Sequence, residues 1–185
     1  MAITMKRTGY GQVEPNHLAG IVTGQIYAQL PAHVKKGTTG ADTIAQLEQG
    51  QFAKYDYAAG EVNFTGEGEF MLVYNEEKLY DERFQSHKDF VYKTADFTDT
   101  NIYPRLIRTY VGDIITTNTI AVANTSNTAE VGNESLAVGN YLTINNLGFL
   151  VKANEKPGTG IVWKVVAETT MPDCVNAGVK IQRVQ

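Results

Sequence analysis

The sequence predicts an all-β protein, a barrel or sandwich built from two similar three-stranded units and led by an extended N-terminal arm. Three observations carry that expectation: short apolar or alternating runs of strand length, turn chemistry between them, and a glycine-framed pattern that occurs twice. A chain of 185 residues fits one ordinary domain, or two small ones. With 43% apolar and 10% aromatic residues it has material for a core, which excludes disorder throughout.

Residues 1–40 form the expected arm. Glycines at 9, 11, 20, 24, 37 and 40 and prolines at 15 and 31 leave no room for a long helix or a regular hairpin. Ile21, Val22, Ile26, Tyr27 and Leu30 are nevertheless burial material. Both facts suit an extended segment that takes its partners from elsewhere, with Ile21, Ile26, Tyr27 and Leu30 as anchors. A terminus packed on its own domain is the alternative.

The body, 41–185, reads as strands and turns. Leu47-x-x-Gly50-x-Phe52 is echoed by Leu136-x-x-Gly139-x-Tyr141, and each stretch meets a later glycine, Gly60 or Gly148. Gly66-Glu67-Gly68 then parallels Gly158-Thr159-Gly160. The spacing is 16 residues in one copy (50 to 66) and 19 in the other (139 to 158), a difference that a surface turn absorbs at little cost. These eight glycines are expected at structural turns of two units, about 45–80 and 134–170. Asp56 and Asn145 open the intervening turns because both tolerate left-handed backbone. Glu67 in one copy is Thr159 in the other, so the position does not require a carboxylate.

Within the first unit, Phe70–Tyr74 is a continuous apolar run, as expected of a strand covered on both faces. Residues 76–92 are the one plausible helix, with Tyr80, Phe84 and Val91 on a shared face. Arg105 to Thr119 is β-branched and broken at Gly112-Asp113. The stretch 123–135 reads as a polar loop, and Val179–Gln182 alternates like a half-exposed strand.

Several chemistries lack their residues. Met71 stands where a dinucleotide fingerprint needs its third glycine, and no phosphate-loop lysine motif occurs. His17, His33 and His87 form no i,i+4 pair and none lies near Cys174 in sequence, so no metal or cofactor is expected. Glu76-Glu77, Asp81-Glu82 and Asp96/Asp99 read as a solvated rim, because adjacent strand residues point to opposite faces. No catalytic residue is assigned, and the expectation is that the chain is not an enzyme. The net charge of −4, from 16 basic and 20 acidic residues, offers no field for nucleic acid. No apolar run approaches the ~20 residues of a membrane helix, and the N-terminus lacks the apolar stretch of a secretory signal.

The arm, the stretch "LEQGQFAKYDYAAGEVNFTGEGEFMLVYNEEKLYDERF", the strand "VGDIITTNTI" and the closing "TMPDCVNAGVKIQRV" together resemble small structural proteins of tailed bacteriophages. More narrowly, they resemble head-associated, capsid-decorating (cement) proteins, and the resemblance spans nearly the whole chain. It implies a β-rich virion protein that binds and stabilises a capsid after assembly in the host cytoplasm. Its implied partners are the major capsid protein and neighbouring copies of itself, as a homo-oligomer or ordered on the shell, with no nucleic acid and no membrane. The alternative is a receptor- or glycan-binding tail or fibre module that uses tyrosine platforms and the 123–135 loop.

Overall fold

A computed structural model of the chain describes residues 2–5, 9–13, 26–27, 44, 46–74, 91–93, 103–122, 134–171 and 175–185. Among them there are fifteen strands and no helix, so the fold is all-β and sandwich-like. The strands of the first half are β1 (Ile3–Met5), β2 (Ile26–Tyr27), β3 (Gln46–Glu48), β4 (Phe52–Asp56), β5 (Glu61–Asn63), β6 (Met71–Val73) and β7 (Val91–Lys93). Those of the second half are β8 (Leu106–Ile107), β9 (Ile114–Thr117), β10 (Ile120–Ala121), β11 (Glu134–Leu136), β12 (Tyr141–Ile144), β13 (Leu150–Ala153), β14 (Trp163–Thr170) and β15 (Ala177–Arg183). They assemble into a six-stranded sheet, β10-β13-β12-β14-β15-β9, and a five-stranded sheet, β2-β8-β6-β4-β5. Two ribbons, β1-β11 and β3-β7, complete the set.

Alternation along the strands explains the layering. Leu142, Trp163, Val165, Val179 and Ile181 of the six-stranded sheet meet Phe52 and Leu72 of the five-stranded sheet in one core. Met5 and Leu136 of the first ribbon belong to it as well. The neighbours of Phe52 and Leu72 in the chain, Ala53, Met71 and Val73, point the other way. They join Tyr55, Val62, Leu106 and Leu47 in a second core. The five-stranded sheet is therefore buried on both faces, as the apolar run Phe70–Tyr74 predicts. Among the described residues, the six-stranded sheet has only one face in a core. Its other side carries half-exposed Tyr141, Lys164, Lys180 and Gln182. Each fully buried large side chain in these cores contributes ~1.5–3 kcal/mol of transfer free energy.

The hydrogen bonds around the two glycine frames fall at equivalent places. Gly50 donates to the Val73 carbonyl at 3.0 Å, and Gly139 to the Val165 carbonyl at 2.8 Å. Val73 donates to Gln51, and Val165 to Asn140. The side-chain oxygens of Gln51 and Asn140 accept from the amides of Glu48 and Ala137, both at 2.9 Å. In each case the first long strand is central: β4 lies between β5 and β6, and β12 between β13 and β14. Phe52 pairs with Leu72 as Tyr141 pairs with Lys164. Burial differs, since Phe52 is fully buried and Tyr141 half-exposed.

The described parts of residues 1–40 take partners from the same chain. β1 pairs with β11, β2 pairs with β8, and Val13 bridges Thr117. Ile26 and Tyr27 form β2, whereas Ile21 and Leu30 lie outside the described residues. Two expectations on local structure change. Val91 and Tyr92, assigned to a helix, are in strand β7, in keeping with their β-branched and aromatic side chains; residues 76–90 lie outside the described residues. Glu134 and Ser135, read as the end of a polar loop, pair with β1 instead, since Ile3 and Met5 supply a partner edge that local composition does not reveal.

Candidate functional site

The geometry of Gly66-Glu67-Gly68-Glu69 is that of a packed turn. The Gly66 amide donates to Asn63 Oδ1 at 2.7 Å, and the Thr65 amide to the same oxygen at 3.2 Å. A Cβ on Gly68 would stand 2.6 Å from the Tyr55 carbonyl oxygen. Both glycines thus permit the chain to lie close over β4. Gly50, Gly60, Gly139, Gly148 and Gly160 have positive φ, while Gly66, Gly68 and Gly158 do not. Of the two carboxylates, Glu67 is exposed, and Glu69 turns toward the six-stranded sheet.

Glu69 ties the two sheets together. Its Oε1 accepts from Arg183 Nη2 at 2.7 Å, and its Oε2 from Arg108 Nε at 3.2 Å. Arg183 lies in β15, and its side chain is 11% exposed. Its Nη1 also donates to the Thr109 carbonyl and hydroxyl. This carboxylate is committed to a charged strut between sheets.

The turn after β4 is shaped by Asp56. Asp56 Oδ1 accepts from the amides of Ala58 and Ala59, both at 3.0 Å. The Ala59 amide is the main cause that holds the Asp56 carboxyl below its ordinary value; the Asn63 side chain and the Ala58 amide add to it, against an opposing desolvation effect. Asn145 does the same work after β12, accepting from Leu147 at 3.0 Å and Phe149 at 2.9 Å. The two turns have different surroundings. Gly148 is pressed against β4, where its carbonyl accepts from the Phe52 amide at 2.7 Å and Gln51 Nε2 donates to Leu147 O at 2.5 Å. The Asp56 turn projects outward: Tyr57 is 76% exposed, and no atom lies within 4 Å of a Cβ built on Gly60.

A buried polar seam fastens residues 11–13. The Gly11 amide donates to Glu48 Oε2 at 2.8 Å and the Gln12 amide to Asn118 Oδ1 at 2.9 Å. The Thr117 hydroxyl donates to the Gln12 carbonyl at 2.7 Å. Glu48, Thr117 and Asn118 are each 2% exposed or less. The body therefore holds this segment by its main chain, and the Gln12 and Val13 side chains are buried with it.

The described tyrosines differ in exposure. Tyr55 and Tyr74 are buried, Tyr110 and Tyr141 half-exposed, and Tyr57 and Tyr103 exposed. Tyr92 is in β7, and its side chain lies outside the description, as do His17, His33, His87, Cys174, Glu76, Glu77, Asp81, Glu82, Asp96 and Asp99. Among the described residues no group of three or more His, Cys, Asp or Glu could hold a metal ion. No described helix is long and apolar enough to cross a membrane. Residue-level reading missed Glu69–Arg183 and the outward lysines of β14 and β15. For the lysines the signal was present, in the alternation of Val179-Lys180-Ile181-Gln182. No family model, curated protein or solved structure matches the chain.

Proposed function

We propose that this chain is a structural virion protein that binds and stabilises a phage capsid, its body made from one β unit used twice. The observation that carries the reading is the unequal covering of the sheets. The five-stranded sheet has a core on each face, while the six-stranded sheet keeps one face half-exposed for contact. A rigid β body with such a face suits repeated docking on a shell, where many modest contacts add through multivalency. The coincident hydrogen bonds at Gly50 and Gly139 support the twice-used unit, as do the paired core positions Leu47 and Leu136, Ala53 and Leu142, and Val73 and Val165. In this reading the partners are the major capsid protein and neighbouring copies, and the protein does no chemistry.

Adding the purified full-length chain to phage heads that lack it tests the proposal. Ordered density on the capsid surface and greater resistance of the heads to heat are expected. Heads that stay bare at saturating protein overturn it. Tyr57, exposed at a turn, favours a second reading as a receptor- or glycan-binding module. Binding on a glycan array that is lost in Tyr57→Ala, with bare heads, selects that reading instead.

A further inference from the structure

Charge is placed unevenly across the first core. Trp163, Val165, Val179 and Ile181 point into it, so strand alternation sets Lys164 and Lys180 on the outer face of the six-stranded sheet. Lys164 is paired with Tyr141 and Gln182, and Tyr141 with Ala153. Val151 and Ile114, each the chain neighbour of a core residue, extend an apolar ground around the two cations. No carboxylate stands on the outer side of any described strand of this sheet: Glu168 is paired with core residue Val179 and so faces the other way.

The opposite character is found at the tip of the β4–β5 hairpin, across the core. The hairpin carries Asp56 and Glu61, Glu67 follows in the next turn, and Tyr57 extends from the tip, while Lys54, farther back on β4, lies over the Phe70 ring. Tyr57 stands on a turn whose backbone is fixed. Its ring lies 5.8 Å from that of buried Tyr55, and the Asp56 carboxylate caps the turn. A tyrosine has few rotatable bonds for its contact area and so loses little freedom on binding, which is the usual property of an interface anchor. The molecule itself shows what such a turn can do. The equivalent Asn145–Gly148 turn docks on the main chain at Phe52.

We propose that the Tyr57 turn of one copy docks on the outer face of the six-stranded sheet of a second copy, with Asp56, Glu61 and Glu67 set against Lys164 and Lys180. The two surfaces belong to different sheets on opposite sides of the first core, so they cannot meet within one chain. The contact is head-to-tail, and repetition extends it into a chain or closes it into a ring. Complementary charge sets its orientation, and Tyr57 with the apolar ground supplies the buried area.

Sedimentation velocity on the full-length protein, with no capsid present, tests this. Concentration-dependent association is expected at about 50 mM salt and should weaken toward about 500 mM. Tyr57→Ala should lower the association constant at least tenfold. Lys164→Glu/Lys180→Glu and Glu61→Lys/Glu67→Lys, each folded by circular dichroism, should both be monomeric alone, yet associate when mixed because their charges are again opposed. A wild-type protein that stays monomeric throughout overturns the proposal. So does a lysine variant that self-associates like wild type, or a mixture of the two variants that remains monomeric.

Discussion

Gly148 and Phe52 are joined main chain to main chain, the Phe52 amide donating to the Gly148 carbonyl at 2.7 Å. A Cβ on Gly148 would stand 1.8 Å from the Phe52 carbonyl oxygen, and its φ of +76° is already unfavourable to other residues. Gly148→Ala therefore forces the turn off β4 and should cost several kcal/mol, on the order of 3, by overpacking and backbone strain together. Gly60→Ala is the control, since Gly60 shares the positive φ but has no atom within 4 Å of its Cβ. Its cost should be only ~1–2 kcal/mol, that of a left-handed residue. Equal losses in urea denaturation of the two variants would mean that the close approach to Phe52 is not what limits position 148.

The same turns show what was legible in the sequence. Asp56 and Asn145 with their following glycines act over a few residues, through side chain to backbone bonds, so composition alone finds them. Strand existence is similarly local, as at Met71–Val73. Which face a strand buries is not. Phe52 and Tyr141 occupy equivalent pairings, yet Phe52 fills the first core while Tyr141 lies on an outer face, because among the described residues only the five-stranded sheet has a core on each side. Partners far apart in the chain are equally hidden: nothing near Glu69 announces Arg183, 114 residues away.

That distant pair should matter more than its neighbour. Glu69 meets Arg183 where the arginine side chain is 11% exposed, and Arg108 where it is 50% exposed. Glu69→Gln leaves the Arg183 guanidinium partly buried beside a weaker acceptor, a loss of ~1–3 kcal/mol. Arg108→Ala removes a solvated pair and should change stability by less than ~0.5 kcal/mol. Chemical denaturation of both variants checks the order; a larger loss for Arg108→Ala would contradict the strut.

The N-terminal strand carries a comparable burden. Met5 is 3% exposed within the first core, and β1 pairs with β11 over Ile3–Met5. Met5→Ala should cost ~2–5 kcal/mol through lost burial and the cavity left behind. Thr4→Ala, at an exposed position of the same strand, should be near neutral. Thermal unfolding of the pair distinguishes a strand that is part of the core from one that merely rests on it.

Acid should release the contribution of Asp56. Its carboxyl is held below the ordinary aspartate value, chiefly by the Ala59 amide, so the folded state binds that proton more weakly than the unfolded chain does. The linked stability is fully present above the ordinary value and is lost as pH falls through the lowered, folded value. Asp56→Asn keeps an oxygen that can cap the turn but has no charge to lose. Wild type should therefore melt above the variant at neutral pH, and the gap should narrow in the acid range below the ordinary aspartate value. Asn145→Asp probes the opposite change at the equivalent turn, where a carboxylate would accept from Leu147 and Phe149 and make that turn acid-sensitive. A wild-type to Asp56→Asn gap that does not vary with pH would show that the capping oxygen, rather than its charge, sets the stability of the turn.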